Sequence, residues 1–342
     1  MSKNITNCLG CGALLQTNNI NQSGYVLSLD HLFCMNCFKL MNYGDADYHF
    51  HPDKLPSFSK NDLIIVVSSI MYVDVMLTSK IKKLGNDYQV IYLINQIDLL
   101  PKHTNLNKVI ENIKKAFKEF QVSYQEIILM SALNHYDILE LKNYLKTFKS
   151  KNIYLIGLQN SGKTTIYKAL TGDSKALNLP KAALTQKVLK SEYHDKIIYD
   201  TPGLYEKGFL HEFFSYKDYQ KYLPITRFYP KGGTLNKDDV IIIGGLFIIE
   251  IIKGKTKWLL YANKSVKYHL TNKNKISNFL SPNQVFNLNF DSYGERDIKL
   301  DKKETYQIRI ADFAIIHLDG DITIKIYTHP KLNYNITKSL YR

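Results

Sequence analysis

The stretch YLIGLQNSGKTTIYKAL at residues 154–170 constrains the fold more than any other part of the chain. An apolar strand runs into a turn bounded by Gly157 and Gly162, and Lys163, Thr164 and an amphipathic run follow. The order G-x-x-x-x-G-K-[ST] between a strand and a helix is that of a phosphate-binding loop, whose backbone N–H groups cradle phosphates. The lysine would reach the β- and γ-phosphates, and the threonine hydroxyl would coordinate Mg²⁺.

Three further residues belong to this loop and its helix: Asn160, Ser161 and Thr165 are candidate nucleotide contacts. Asn160 has two interpretations. It resembles the loop asparagine that coordinates K⁺ in cation-dependent GTPases, or it only caps the turn. Both alternatives stay open at the level of sequence.

The segment YDTPG follows about 40 residues later. Asp200 ends an apolar run and would hold Mg²⁺ through water, and the Gly203 N–H would sense the γ-phosphate. D-x-x-G alone is often just a turn, but its distance from the loop suits the second half of a phosphoryl-transfer site.

The segment LINQIDLLP precedes both motifs and resembles N-K-x-D, the guanine-reading motif of GTPases. Asn95 and Asp98 are the candidate contacts, and Gln96 replaces the usual lysine. The Asp98 carboxylate can accept from guanine N1–H and N2–H₂ together, a donor pair that adenine lacks. The alternative is a strand that ends in an Asx turn.

The segment MSALNHYDILEL resembles the next GTPase motif, S-A-[KL]. Ser131, Ala132 and Leu133 are candidate nucleotide contacts, with the Ala132 N–H expected to meet guanine O6. The guanine-reading half therefore precedes the phosphate-binding half, the reverse of the usual order. We predict a circularly permuted domain, which a parallel sheet tolerates when the old termini are joined and a new break is opened.

Short apolar runs alternate with amphipathic stretches from about residue 60, which predicts an α/β domain with a parallel sheet. The predicted strands are 62–69, 89–95, 126–132, 152–158 and 196–203. After about 215, period-two alternation and turns such as Asp319-Gly320 predict a β-rich region. The predicted domains are a zinc finger at 1–48, the permuted domain at 49–215 and the β-rich domain at 216–342.

The four cysteines form two C-x-x-C pairs near the N-terminus, Cys8 with Cys11 and Cys34 with Cys37. Four thiolates at this spacing predict a closed tetrahedral zinc site. A redox C-x-x-C would more often be single and attached to a βαβ unit.

A formal net charge of +14 favours a polyanionic partner, nucleic acid first. Only four of the 45 basic residues are arginine, which also fits a lysine-rich composition from an AT-rich genome. Lysines and aromatic residues of the β-rich region form either an RNA surface or a solvated face; they are Lys221, Arg227, Lys231, Lys253, Lys255, Lys257, Trp258, Lys264 and Lys267. The longest apolar stretch, DDVIIIGGLFIIEIIKG, is interrupted by charges and glycines, so we expect strands there and a cytoplasmic protein without a membrane span.

Together the motifs resemble the circularly permuted GTPases of the YqeH type, to which plant and mitochondrial nitric-oxide-associated proteins are similar. The resemblance covers almost the whole chain. It implies a GTPase that assists assembly of the small (30S) ribosomal subunit, using GTP/GDP, Mg²⁺ and Zn²⁺. It further implies 16S rRNA as a partner and a C-terminal module for RNA or protein. We expect a monomer that turns over slowly and is stimulated by K⁺ or by the subunit.

Two departures from the family leave alternatives open. Ala183 stands where the family's switch I has a Mg²⁺-binding threonine, with Thr185 two residues on, and Gln96 replaces the lysine of N-K-x-D. Leu204 stands where Ras-type enzymes have a glutamine, so another element must supply charge stabilisation in the transition state. A nucleotide-gated RNA-binding scaffold with little or no hydrolysis is therefore the first alternative. A zinc-ribbon nucleic-acid regulator with a vestigial nucleotide domain is the second.

Overall fold

The computed structural model describes residues 7–8, 13–20, 22, 24–43, 55–172, 188–301 and 304–342. It divides into two compact units, the first formed by Met1–Ile97 with Lys114–Glu206 and the second by Asp98–Ile113 with Lys207–Arg342. Among the described residues, no helix combines the length and the apolar character that a membrane crossing needs.

The helices and strands alternate in the first unit, and strands dominate the second. The α-helices are α1 (Met35–Tyr43), α2 (Val73–Thr78), α3 (Leu106–Glu119), α4 (His135–Lys146), α5 (Lys163–Thr171) and α6 (Tyr216–Tyr219). Short 3₁₀ helices span Ile70–Tyr72, Lys80–Asn86, Ile97–Leu99, Leu210–Glu212 and Lys273–Phe279. The strands of the first unit are β1 (Leu63–Ser69), β2 (Gln89–Asn95), β3 (Glu126–Leu129), β4 (Asn152–Ile156), β5 (Leu189–Tyr193) and β6 (Lys196–Asp200).

The strands of the first unit form one six-stranded sheet in the order β3-β2-β1-β4-β6-β5. The five strands predicted from apolar runs pair in parallel, which confirms the predicted α/β class. Strand β1 is buried along its whole length, as expected for a parallel strand covered on both faces. One face of the sheet packs against apolar side chains of α4 and α5, including Ile138, Leu141 and Ile166.

The edge strand β5 was not predicted, and it runs antiparallel to β6. Only His194 and Asp195 connect the two strands, and His194 has the left-handed φ of 54°. A connection this short forms a hairpin, because a parallel pair needs a long crossover.

The described residues of the second unit form two five-stranded antiparallel sheets, which agrees with the β-rich region that the period-two pattern predicted. Its strands are β7 (Lys231–Asn236), β8 (Asp239–Ile243), β9 (Phe247–Lys253), β10 (Lys255–Ala262), β11 (Tyr268–Asn272), β12 (Gly294–Leu300), β13 (Thr305–Ile310), β14 (Ala314–Asp319), β15 (Ile322–Thr328) and β16 (Tyr334–Lys338). The sheet orders are β16-β13-β14-β10-β7 and β11-β8-β9-β15-β12. The long apolar stretch forms strands β8 and β9, which confirms that interpretation.

A neutral histidine lies in the core of the second unit. His317 on β14 is fully buried, and its Nδ1 lies 3.0 Å from the Ser339 hydroxyl oxygen. Burial, together with the smaller effect of the Arg342 charge, lowers the pKa of His317 to about 3. The ring is therefore uncharged at neutral pH.

Replacing His317 with glutamine, which does not titrate, should flatten the pH dependence of the unfolding free energy. The folded pKa of about 3 lies below the ordinary value of about 6.5. As the pH falls below 6.5, the unfolded chain binds a proton at this residue that the folded chain does not. His317 alone therefore lowers the unfolding free energy by about 2 kcal/mol between pH 7 and pH 5, and the slopes of the wild type and the variant should differ by that amount. Urea unfolding at the two pH values measures this loss. The exposed His103, changed to glutamine, is the control and should keep the wild-type slope; equal slopes for all three proteins would contradict the assignment.

Candidate functional site

The phosphate-binding loop has the predicted strand–turn–helix form. Strand β4 ends at Ile156, and α5 begins at Lys163 after Gly162, whose φ is 88°. Asn160 also has a left-handed φ, of 58°. The loop therefore ends at the N-terminus of a helix, where unpaired N–H groups and the helix dipole favour an anion.

Lys163 folds back over its own loop. Its side chain is buried, and the ammonium donates to the carbonyl oxygens of Gly157 at 3.1 Å and Leu158 at 2.8 Å. Burial lowers the pKa of Lys163 to about 8, an effect that the carboxylate of Asp200 opposes. A cation is thus held beside the loop that the sequence assigned to phosphates.

The next residue connects the loop to the D-x-x-G segment. The Thr164 hydroxyl donates to Asp200 Oδ2 at 2.7 Å. Asp200 is fully buried, and burial raises the pKa of its carboxyl to about 6 against the opposing effects of Lys163 and the Thr164 hydrogen bond. Its Oδ1 has no hydrogen-bond partner among the described residues. Carboxylate and hydroxyl oxygens are ligands that Mg²⁺ prefers, so these residues fit the magnesium site predicted for them.

The D-x-x-G segment runs alongside the phosphate loop. Leu204 N–H donates to Gly157 O at 2.9 Å, and Gln159 N–H donates to Leu204 O at 3.2 Å. Gly203 lies so close that a Cβ added to it would be 2.8 Å from the Gln159 Cα. The structure therefore brings together the two phosphate motifs named from sequence.

Asn95, at the end of β2, connects the phosphate loop to the S-A-L segment. Its Nδ2 donates to Ser161 O at 2.9 Å, and its Oδ1 accepts from Ala132 N–H at 2.9 Å. The side chain is buried. Its neighbour Gln96 has a φ of 64° and donates from Nε2 to Asn160 O at 3.3 Å.

The S-A-L segment is fixed by its own hydrogen bonds. Ser131 N–H donates to Asp137 Oδ2 at 2.8 Å, and Leu133 N–H donates to Ser131 Oγ at 3.2 Å. Asp137 was missed by sequence reasoning, although an acidic residue in the first turn of a helix was a usable signal. The Ala132 N–H is bonded to Asn95, and its contact with guanine O6 stays a prediction.

Five of the named residues need separate mention. Ser161 and Thr165 lie at the loop and in the first turn of α5, and Ser161 Oγ is buried without a hydrogen-bond partner among the described residues. Asp98 lies in the 3₁₀ helix Ile97–Leu99 and is the first residue of the second unit; its main-chain oxygen accepts from Arg227 Nε at 3.3 Å. The switch I residue Ala183, with Thr185, lies outside the described residues.

Three of the four predicted zinc ligands converge. The sulfurs of Cys8, Cys34 and Cys37 are buried and lie within 4.8 Å of one another, and the Cys34 N–H donates to Cys8 Sγ at 3.2 Å. Sulfurs about 2.3 Å from one tetrahedral zinc ion lie about 4 Å apart, so this cluster is compatible with zinc. Cys11 lies outside the described residues.

One family model and three known proteins are similar to this chain. Residues 152–243 match the family model described as 50S ribosome-binding GTPase. The chain is 23% identical over 282 residues to the uncharacterized protein YqeH of Bacillus subtilis strain 168, covering 77% of each chain. It is 22% identical to a putative nitric oxide synthase of Oryza sativa and to NO-associated protein 1 of Arabidopsis thaliana, covering 77% of this chain and 58% of each plant protein. The predicted resemblance to the YqeH-type proteins is therefore confirmed.

Substitution of one cysteine tests whether the cysteine cluster binds zinc. We expect about one zinc ion per chain in the purified protein, measured by mass spectrometry of the metal, and a fall below about half after Cys34→Ser. The exposed Ser28, changed to alanine, lies in the same segment and should retain the metal. A zinc content unchanged by Cys34→Ser would contradict the site.

Two glycines, one at each end of α5, provide a matched test of the Asn95 contact. Gly162 and Gly172 both have left-handed φ values, 88° and 74°, so alanine costs roughly 1–2 kcal/mol at either position. A Cβ at Gly162 would also lie 2.2 Å from Asn95 Nδ2, whereas a Cβ at Gly172 would meet no atom of the described residues within 4 Å.

Gly162→Ala should therefore lower the unfolding free energy by about 1–3 kcal/mol more than Gly172→Ala, because the buried amide must break its hydrogen bonds to move. It should also abolish binding of a fluorescent GTP analogue, which Gly172→Ala should preserve. Equal effects of the two substitutions on stability and on binding would show that the Asn95 contact contributes to neither property.

Proposed function

Because the chain resembles the YqeH-type GTPases, we propose that it is a GTP-binding and GTP-hydrolysing switch that assists assembly of the small ribosomal subunit. One observation carries the proposal: Asn95 bonds the phosphate loop to the S-A-L segment, while Thr164 bonds the same loop to Asp200. Four motifs that are far apart in the chain thus belong to one connected site. The description of the matched family names the 50S subunit, but that description belongs to the family as a whole. For this chain we propose the 30S subunit with 16S rRNA as the partner, because the resemblance to YqeH implies it.

The phosphate half of the site supports nucleotide binding by the chain's own groups. The N–H groups of the loop and of the α5 N-terminus would bind the phosphates, and Lys163 would exchange its carbonyl partners for β- and γ-phosphate oxygens. Thr164 and Asp200 would hold Mg²⁺, which when bound supplies positive charge to the phosphate oxygens. Gly203 N–H would sense the γ-phosphate.

The base half would select guanine. We assign the recognition of N1–H and N2–H₂ to the Asp98 carboxylate, with Asn95 and Gln96 holding the loop beneath the base. Ser131, Ala132 and Leu133 would line the base on the other side. Adenine would leave the Asp98 acceptor unpaired, which is the physical basis for rejecting ATP.

The strand order of the sheet supports circular permutation. The phosphate-loop strand β4 lies in the middle, with β6 on one side and β1, β2 and β3 on the other. Because the motifs follow the carboxyl ends of parallel strands, they meet at one edge whichever comes first in the chain. The join that permutation requires is short, since residues 147–151 connect α4 to β4.

Hydrolysis needs a group that Leu204 cannot supply, because an aliphatic side chain does not orient water. We assign this contribution to a K⁺ held by Asn160, whose left-handed backbone is already tied to Gln96. The K⁺ would add positive charge near the phosphates. The N-terminal cysteines, Cys11 included, would hold a structural zinc.

The alternative function is a nucleotide-gated RNA-binding scaffold that hydrolyses little or no GTP. Ala183 favours it, because it replaces the Mg²⁺-binding threonine that the family has in switch I. The two functions differ in turnover alone.

The deciding experiment measures GTP hydrolysis by the purified protein in KCl and in NaCl, alone and with purified 30S or 50S subunits. We expect turnover that depends on K⁺ and rises with 30S but not with 50S. Lys163→Ala should weaken GTP binding about tenfold or more, since it removes a charged phosphate contact, while Lys168→Ala on the same helix should not.

Each result that differs from this expectation would exclude a different part of the proposal. Tight GTP binding without turnover in any mixture would establish the scaffold. Stimulation by 50S alone would replace the small subunit as the partner, and no binding of any guanine nucleotide would refute both functions.

A further inference from the structure

Two adjoining cavities form a groove between edge strands of the second unit. A cavity of about 490 Å³ is lined by residues of β7, β10 and β11 and by the turn before β11. A cavity of about 570 Å³ continues along β7 and β11. His269 lines both, so the two cavities adjoin at this residue of β11.

The charge of this groove is strongly positive. Lys231, Lys264 and Lys267 line the first cavity, and Lys275 lines the second. Among the described lining residues the one carboxylate is Asp239, and its Oδ2 accepts from the backbone and side chain of Asn236. A polyanion therefore finds several ammonium groups and little repulsion.

Aromatic rings lie among these lysines. Tyr229 is 54% exposed, and Lys264 Nζ lies 4.1 Å from its ring centroid. Tyr268 is 37% exposed and packs edge-on against Trp258, with ring centroids 5.4 Å apart. Trp258 itself is 3% exposed, so the sequence-based suggestion that it forms part of an RNA surface is wrong. Its role is to support Tyr268, because alternate side chains of β10 point into the core.

Flat aromatic faces beside ammonium groups are the combination that binds unpaired nucleotides, since bases stack and phosphates pair. An added peptide strand is the competing occupant, because β7 and β11 are both edge strands. Such a peptide would need no cluster of lysines. The charge and the exposed tyrosines therefore favour nucleic acid.

We propose that this groove binds single-stranded RNA, with phosphates on Lys231, Lys264 and Lys267 and with bases against Tyr229 and Tyr268. The choice of RNA over DNA rests on the proposed function. The proposal that the groove binds a single-stranded nucleic acid does not depend on that function. The structure separates these lysines from Lys253, Lys255 and Lys257, which line neither cavity.

The test uses the full-length protein and a fluorescently labelled ten-nucleotide oligouridine, with binding followed by anisotropy at several salt concentrations. The groove variant combines Lys231→Glu, Lys264→Glu and Lys267→Glu. The control variant carries the same change of charge at exposed lysines of the same unit that line neither cavity, as Lys217→Glu, Lys299→Glu and Lys331→Glu.

We expect the groove variant to lose about a hundredfold or more in affinity and the control to lose less than about fivefold. Because the groove variant cannot pair these three ammonium groups with phosphates, its slope of log affinity against log salt should be shallower by about 2. Tyr229→Ala with Tyr268→Ala, which changes no charge, should weaken binding about tenfold or more.

Several results would overturn the proposal: no binding by the wild type, equal losses in groove and control variants, or tyrosine substitutions without effect. Tighter binding of an extended peptide than of oligouridine, lost with the same substitutions, would assign the groove to protein instead. Tighter binding of oligothymidine would overturn the choice of RNA.

GTP hydrolysis without RNA, measured on the same preparations, keeps the two proposals distinct. The groove variant should retain the basal rate, because none of its changes lies in the nucleotide site. Loss of oligouridine binding with normal hydrolysis would refute only the groove, and binding without hydrolysis would refute only the switch.

Discussion

The site depends on one buried amide. Asn95 projects from the end of β2, yet its partners belong to the loop after β4 and to the segment after β3. Because β1 lies between β2 and β4 in the sheet, the Asn95 side chain spans the end of a strand. A buried amide left without partners costs about 1–3 kcal/mol, so each loop is held in the conformation that satisfies it. One buried side chain therefore links the S-A-L segment to the phosphate loop.

A second constraint sets the charge of the site. Lys163 and Asp200 are both buried, and burial shifts their pKa values towards the neutral forms while each opposes the shift of the other. The ammonium is satisfied by carbonyl oxygens of the loop, whereas Asp200 Oδ1 has no partner among the described residues. Desolvated groups of this kind gain most when phosphate and a divalent cation arrive together, because each then finds an opposite charge.

The sequence predicted those helices, strands and turns whose pattern lies within a short stretch of the chain. The phosphate loop and the strands around it follow from residues adjacent in the chain, and the antiparallel β-rich region follows from period-two alternation. The sequence singled out Asn95 but could not show its hydrogen-bond partners, because Ala132 and Ser161 lie 37 and 66 residues away in the chain. The β5 hairpin was missed because its pattern, with charged residues on the exposed side, carries a weak apolar signal. The groove was missed because β7 and β11 belong to different sheets.

The order of the motifs has a mechanical consequence. In a chain that begins with the phosphate loop, the D-x-x-G segment leads onward to the base-reading strands; here it leads out of the first unit. Leu204 is bonded to Gly157 and Gln159, and the second unit resumes at Lys207, three residues later. Leu204 is therefore joined to the second unit through Tyr205 and Glu206. In the proposed switch, this covalent connection is where a movement of the D-x-x-G segment would reach the second unit.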